Sequence, residues 1–252
     1  MNTQRRDAIK KLLDDRGEVT LSELEELFPD CSTMTLRRDI KYLEDSGLVK
    51  RTRGGAVALS RLSIAAEDVY SRRAVENTDA KTAIAHKAAA LLENGRSLYL
   101  DSGTTLMQFA KLIPDDYIAV LTSGPNIALE LIKKNRPNVM LLGGQLNRNT
   151  ISVSGAGANR FLSEVNIDIA FMASSGFSLE HGFTSGTYSE CELKKAVLGM
   201  ASTVVMLMDS SKVGKNLPYT FGTLEGINVL VSDDDLPAEI VRAAQAAGVT
   251  VM

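Results

Sequence analysis

The sequence predicts an α/β fold in two unequal parts, and three observations predict it. Residues 1–59 hold three helical stretches and then two short extended runs around a Gly-containing loop. From Lys81 onward, apolar runs of strand length alternate with helical ones, the pattern of a largely parallel sheet covered by helices. Residues 60–80 between them are mixed and charged without a Gly/Ser-rich tract, which predicts a partly ordered connector. A chain of 252 residues with 44% hydrophobic content is long enough for two modest domains. No run of eighteen apolar residues predicts a membrane span, and the N-terminus carries no apolar signal core. Cys31 and Cys191 lie far apart, without metal or disulfide spacing. A cytoplasmic protein with reduced thiols is therefore expected.

Ile9, Leu12 and Leu13 predict a helix from about Thr3 to Arg16, ended by Gly17. Glu18–Leu21 reads as a short extended piece. Ser22 with Glu25 three residues on is a capping-box pattern, opening a helix that buries Leu24, Leu27 and Phe28. After a turn at Pro29–Cys31, Ser32 caps a third helix that runs to about Ser46, where Gly47 stops it. On a helical wheel Leu36, Ile40 and Leu43 share one face. Met34, Arg38 and Lys41 fall opposite, with Arg37 beside them and Asp39 turned away. Leu48–Leu59 then reads as two strands around a loop. Three helices and a hairpin make a winged helix-turn-helix, whose third helix can enter a major groove about 12 Å wide.

The net charge of −3 argues mildly against nucleic-acid binding for the chain as a whole. Residues 1–59 hold eleven Lys/Arg and eleven Asp/Glu, so the whole excess of acid lies beyond them. Within Ser32–Gly55 six basic residues face three acidic ones. The basic surface is local, as expected where a single face meets phosphates. A charged solvent face would look similar in isolation; the bracing helix and the wing favour DNA.

The pattern Ser32, Thr35-Leu36-Arg37-Arg38-Asp39-Ile40, Leu43, Gly47-Leu48, Arg51 and Gly54-Gly55-Ala56 resembles the DNA-binding domain of DeoR-family bacterial transcription regulators. The family usually carries His before the paired glycines, where this chain has Arg53. The resemblance implies Thr33, Thr35, Arg37, Arg38, Lys41 and Arg53 as DNA-facing residues. Either arginine can pair bidentately with a guanine edge, while hydroxyls and Lys more often hold phosphates. Arg37 and Arg38 point about 100° apart, so one is expected to read and one to clamp. Asp39 is expected to serve as a structural ion pair or cap partner.

In the larger part, helices are predicted at 83–92, 106–112, 127–134, 156–165, 190–201 and 238–247. Strands are predicted at 97–100, 118–121, 139–142, 151–153, 167–172, 204–208, 229–232 and 250–251. Several strand ends carry small hydroxyl or Gly residues, where open α/β sheets bind ligands. The sharpest is Asp101-Ser102-Gly103-Thr104-Thr105: hydroxyls, a backbone open to close approach, and the free N–H groups of a helix start suit a phosphate. The same residues also make ordinary turns and caps. Asp101 would repel a phosphate, so it either bonds a sugar hydroxyl or orients the loop. Thr122-Ser123 and Gly143-Gly144 occupy equivalent ends. Glu190 and Lys194 are four apart, a surface pair in the plainer reading. Asp209 and Lys212 close another strand, where the plainer reading is a helix cap. His86 and His181 lack ligand spacing, so no metal site and no cofactor are expected. Phe177–Ser189 reads as a mobile cover over the pocket or as an ordinary surface loop.

These motifs, with Gly155 and Asp168, resemble the DeoR-family effector domain, similar in fold to ribose-5-phosphate isomerases and coenzyme A transferases. Thr122-Ser123 stands where Thr-Asn is commoner, and Met172–Gly176 replaces a stretch normally richer in glycine. The resemblance implies a regulator, by family habit a repressor of carbohydrate use. Its effector is expected to be a phosphorylated sugar, and two or more subunits, a dimer or tetramer, would place winged domains on repeated half-sites of double-stranded DNA. The alternatives are a sugar-phosphate isomerase-like enzyme with Glu190 as base and Lys194 or Lys212 as partner, and a DNA-binding protein whose second domain only assembles oligomers.

Overall fold

The computed structural model describes residues 2–16, 18–46, 48–58 and 69–252. Gly17 and Gly47, expected to stop helices, Leu59 of the expected wing and residues 60–68 of the expected connector lie outside the described residues. Contacts divide the chain into two compact units, 1–66 and 67–252.

In the first unit, α1 (Asn2–Arg16), β1 (Glu18–Thr20), α2 (Leu21–Leu27) and α3 (Thr33–Asp45) precede the wing strands β2 (Val49–Arg51) and β3 (Gly55–Ala58). The three strands pair antiparallel in the order β1-β3-β2. Ile9, Leu13, Leu24, Leu36, Ile40 and Leu43 meet Val19, Val49 and Ala56 in one buried cluster. Close packing of β3 on β1 leaves no room for a side chain at Gly55, where an added Cβ would lie 2.0 Å from the Val19 carbonyl oxygen. Two local expectations need correction. The capping box is Thr20/Glu23, not Ser22/Glu25: Glu23 N donates to Thr20 Oγ1 at 3.2 Å and Thr20 N donates to Glu23 Oε2 at 2.7 Å. The helix thus starts two residues earlier than the Ser22 cap implies, and of its leucines Leu24 is buried while Leu27 is 49% exposed.

The second unit opens with α4 (Tyr70–Val75) and α5 (Thr78–Ala89), so residues 70–80 of the expected connector are largely helical. A strand–helix alternation follows: β4 (Ser97–Leu100), α6 (Thr104–Leu112), β5 (Ala119–Thr122), α7 (Pro125–Leu131) and β6 (Asn138–Leu141). A hairpin, β7 (Gln145–Asn147) and β8 (Ser152–Ser154), leads through α8 (Ala156–Leu162) to β9 (Ile169–Ala173). Then come β10 (Gly176–Ser178), β11 (Gly182–Ser185), α9 (Tyr188–Met200), β12 (Thr203–Leu207), β13 (Tyr219–Gly222), β14 (Val229–Val231), α10 (Ala238–Ala246) and β15 (Thr250–Val251).

Seven parallel strands form the central sheet in the order β15-β14-β12-β9-β4-β5-β6. Successive side chains face opposite sides of a strand. Leu98 and Leu100 therefore join the layer of α5, α6 and α7, while Tyr99 joins that of α8, α9 and α10. From β4 the chain builds outward through β5 and β6, then returns to place β9 on the other side of β4. That reversal makes β4/β9 the topological switch point, and a crevice opens beyond the carboxyl ends of its strands.

The stretch Phe177–Ser189 is neither a mobile cover nor a surface loop. It forms β10 and β11, which pair with each other and with β13. Phe177 and Phe183 are buried in the core, with ring centroids 4.6 Å apart. Its glycines and hydroxyls suggested a loop, but apolar residues on the strands' inner face drive it into the protein.

Candidate nucleic-acid interface and anion-binding cleft

In α3 the buried face is Leu36, Ile40 and Leu43, and Arg37, Arg38 and Lys41 are all exposed. Ser32 accepts the Thr35 N–H at 3.3 Å, and its hydroxyl lies 3.0 Å from that of Thr35. Thr33 Oγ1 donates to Glu25 of α2 at 2.5 Å. Both hydroxyls on the proposed face thus already fix the start of the helix. Asp39 is buried, and Arg5 and Arg6 of α1 hold its carboxylate at 2.6 and 2.7 Å. Its structural role as an ion pair is what the sequence led us to expect. Glu44 ties the end of α3 to the wing by accepting from Arg51 N at 3.0 Å and from Arg51 Nε at 2.5 Å. Those bonds to Arg51 also hold the Glu44 carboxyl below its ordinary value. Arg37, Arg51, Thr52 and Arg53 line one shallow groove, so helix and wing present cations together.

In the second unit the crevice beyond β4 and β9 is a narrow, enclosed cleft with a cavity volume of about 20 Å³. Its lining combines Ser102, Gly103, Thr104 and Thr105 after β4, Ala173, Ser174 and Ser175 after β9, Glu190 and Lys194 of α9, Lys212 after β12, and Arg73 of α4. Gly103 sits at φ +128°, a conformation that side chains rarely adopt, and it turns the chain straight into α6. The free N–H groups of that nine-residue helix therefore open on the cleft.

Asp101 lies beneath the cleft, 1% exposed. Its Oδ1 accepts from Ser102 N at 2.9 Å and its Oδ2 from Ala173 N at 3.1 Å. Lys194 Nζ donates to the same Oδ2 and, at 2.9 Å, to the Ala173 carbonyl. Of the two roles weighed for Asp101, the contacts are those of a group that orients the loop: it joins the ends of β4 and β9 and neutralises Lys194. Glu190 and Lys194 are both buried, so the surface-pair alternative fails; α9 packs over the sheet with both residues turned inward. Glu190 stands in the first turn of α9, where Thr187 Oγ1 donates to its Oε2 at 3.3 Å and accepts its N–H at 3.4 Å. Asp209 is buried and its Oδ2 lies 3.9 Å from Lys212 Nζ. Burial pushes the Lys212 ammonium below its ordinary value, an effect opposed by Asp209 and reinforced by Lys215 and Arg73.

Six predicted positions are not in the cleft lining: Asp101 and Asp209, both buried, and Thr122, Ser123, Gly143 and Gly144. The Thr122 hydroxyl is fully buried and accepts Gly124 N at 3.0 Å. Ser123 lies behind the cleft, its hydroxyl donating to Asp101 Oδ1 at 3.5 Å. Gly143 and Gly144 follow β6, the edge strand two places away from β4. Four lining residues, Arg73, Ala173, Ser174 and Ser175, were not predicted as site residues. Ser174 and Ser175 fall in the stretch already noted as departing from the family's glycine-rich pattern. Arg73 carried no motif, only its place in a charged segment.

Among the described residues no group of His, Cys, Asp or Glu is placed to hold a metal ion, and no helix is long and apolar enough to cross a membrane. Two family models match the chain: the DeoR-like helix-turn-helix domain over residues 5–61 and the DeoR C terminal sensor domain over residues 76–234. The chain is 35% identical to the HTH-type transcriptional regulator GlpR of Haloferax volcanii over 88% of this chain and 86% of that protein. It is 32% identical to the HTH-type transcriptional regulator GolR of Listeria innocua over 98% and 97%. It is 29% identical to the glycerol-3-phosphate regulon repressor of Escherichia coli over 95% and 94%. A solved ribose 5-phosphate isomerase A from Methanocaldococcus jannaschii shares a partial likeness, with 19% identity and a TM-score of 0.41 over 56% of each chain. With both its parts matched and its length shared by named regulators, the chain belongs to the DeoR family of DNA-binding transcriptional regulators.

Proposed function

We propose that this chain is a cytoplasmic, oligomeric repressor of a carbohydrate-utilisation operon, released from its operator by a phosphorylated sugar. The observation that carries the effector class is the junction of the α6 N-terminus, the Ser102, Thr104 and Thr105 hydroxyls and the half-buried Lys212 in one cleft. Helix N–H groups and a cation favour a phosphate. Glu190 and the neighbouring serines supply acceptors and donors for sugar hydroxyls. Names of relatives point the same way: one is a glycerol-3-phosphate regulon repressor and another a putative aga operon transcriptional repressor. On the DNA side, Arg37, Arg38, Lys41 and Arg53 form the reading face, with Thr33 and Thr35 at its edge. Effector and operator affinities are then coupled reciprocally, and a coupling of about 1–3 kcal/mol changes operator affinity roughly 5–150-fold.

The isomerase-like reading would make Glu190 a base with Lys194 or Lys212 as its electrostatic partner. The engagement of Lys194 by Asp101 and the Ala173 carbonyl favours a fixed structural cation instead. The test is a thermal-shift screen of the full chain against matched phosphorylated and unphosphorylated sugars, with turnover followed in parallel. A rise in Tm with phosphorylated members alone, and no turnover, is the expected result. No response to any phosphorylated sugar would sink the effector class, and turnover abolished by Glu190→Gln would overturn the regulator-only reading.

A further inference from the structure

One wall of the cleft is α4, a short helix of six residues that opens the described part of the second unit. None of its six residues is buried, and Val75 is largely exposed, so it adds no side chain to the buried core. Polar bonds fasten it at both ends. At the start, Tyr70 N donates to the Asn149 carbonyl at 2.6 Å and Tyr70 Oη accepts from Asn126 Nδ2 at 2.6 Å. At the other end, the buried Lys81 donates to the Arg73 carbonyl and, at 2.5 Å, to that of Glu76. Asn77, left-handed at φ +49°, donates to Ser211 Oγ at 2.9 Å and to Asp209 Oδ1 at 3.3 Å. Its anchors therefore lie in the segments after β5, β7 and β12, which places α4 as a strap across the sheet's carboxyl edge. Arg73 faces the same cleft as Ser102–Thr105 and Lys212.

We propose that Arg73 is the second phosphate-binding cation of this cleft, and that α4 is the strap through which cleft occupancy reaches the chain leading to the DNA-binding unit. The proposal rests on the reading that the cleft takes a phosphorylated ligand. Its chemistry follows from the charges. Arg73 and Lys212 repel one another, while Lys194 is neutralised by Asp101. A phosphate dianion between Arg73 and Lys212 turns that repulsion into two charge-assisted contacts, and guanidinium offers the planar fork that phosphate oxygens match. A short segment with no buried residue opens at low free energy, so a ligand contact can shift its position or order. A ligand that binds one arrangement of α4 more tightly shifts the chain toward that arrangement.

Hydrogen exchange on the full chain, with and without saturating inorganic phosphate, tests this. In the wild type, phosphate slows exchange both in the first turn of α6 and over residues 70–77. With Arg73→Gln, phosphate affinity falls roughly 10–150-fold, as loss of a charge-assisted bond predicts. At phosphate levels that restore saturation, α6 stays protected and residues 70–77 do not. Arg73→Lys, which keeps the charge without the fork, recovers part of the affinity and of the α4 protection. If Arg73→Gln binds phosphate like the wild type, or if only α6 is protected in the wild type, the strap falls while the cleft reading stands. If phosphate protects neither segment, the cleft reading falls and the strap with it.

Discussion

Arg37, Arg38, Lys41 and Arg53 stand in solvent on the first unit, whereas Lys194 of the second is buried and Lys212 and Arg73 are half-buried. Each unit also holds a buried aspartate paired with cations, but to different ends. Asp39 draws Arg5 and Arg6 down from α1 onto the back of α3, so its pairs brace a helix whose opposite face stays free. Asp101 takes its cation, Lys194, from the ligand cleft itself and joins two strand ends in the same contact. A surface that must meet a polyanion along its length leaves its cations hydrated and mobile. A cleft for one small anion desolvates them and holds them in register. The first arrangement gives affinity screened by salt; the second gives selection by geometry.

The largest expected effect separates the two aspartates. Lys194→Met leaves Asp101 buried without its charge partner, and breaking a buried pair costs about 3–5 kcal/mol. Asp39→Asn strands two arginines that reach water, at 13% and 26% side-chain exposure, and costs about 1.5–3 kcal/mol for the charged hydrogen bonds lost. Urea unfolding followed by probes in each unit measures both. Equal costs would erase the distinction between a brace and a desolvated clamp.

Next comes Lys212→Met, expected to leave operator affinity unchanged and to weaken phosphorylated effectors by about 1.5–3 kcal/mol. Normal release by effector would remove Lys212 from the phosphate site. Its lowered pKa gives a pH signature. Unfolded Lys binds a proton more readily than folded Lys212 between the lowered value and the ordinary 10.5, so this group's destabilisation eases as pH rises through that window. A bound phosphate favours the charged form, so binding takes up protons increasingly as pH climbs toward 10.5. Calorimetry in buffers of different ionisation enthalpy detects this uptake, which Lys212→Met abolishes.

On the exposed face, Arg38→Ala is expected to cost about 1–3 kcal/mol for specific operator DNA if Arg38 reads a base. Lys41→Ala should weaken all sequences alike and lower the salt slope by about 1. A sequence-independent loss at Arg38 would pass the reading role to Arg37.

The contrast between the units also explains what was legible in the sequence. A recognition helix is a local object: Leu36, Ile40 and Leu43 mark one face by spacing alone, and the free face follows. Strands of the central sheet were legible as apolar runs, but β7 and β13, short and partly polar, were not. The cleft is non-local. The ends of β4, β5 and β6 look alike as Gly/Ser/Thr turns, and strand order decides among them: β9 returns beside β4, so Ser102–Thr105 line the crevice and Thr122, Gly143 and Gly144 do not. Arg73 was illegible because a six-residue helix with no buried residue leaves no periodicity to read.

The smallest effect tests the one local signal that was misplaced. Ser22 with Glu25 and Thr20 with Glu23 fit the same pattern two residues apart, and spacing cannot choose between them. Pairing chooses: Thr20 ends β1, whose register opposite Gly55 fixes it in an extended conformation, φ −91° and ψ 156°, as an N-cap requires. Thr20→Ala should therefore destabilise the first unit by about 0.5–2 kcal/mol, and Ser22→Ala by no more than about 0.5 kcal/mol. Bonding to Thr20 lowers the Glu23 pKa, so the box's contribution is present above the ordinary carboxylate value of 4.5 and fades as pH falls through the lowered one. The gap between Thr20→Ala and wild type should narrow below that pH, whereas the Ser22→Ala difference should not change. A pH-dependent loss at Ser22 instead would restore the alternative cap and shift the start of α2 by two residues.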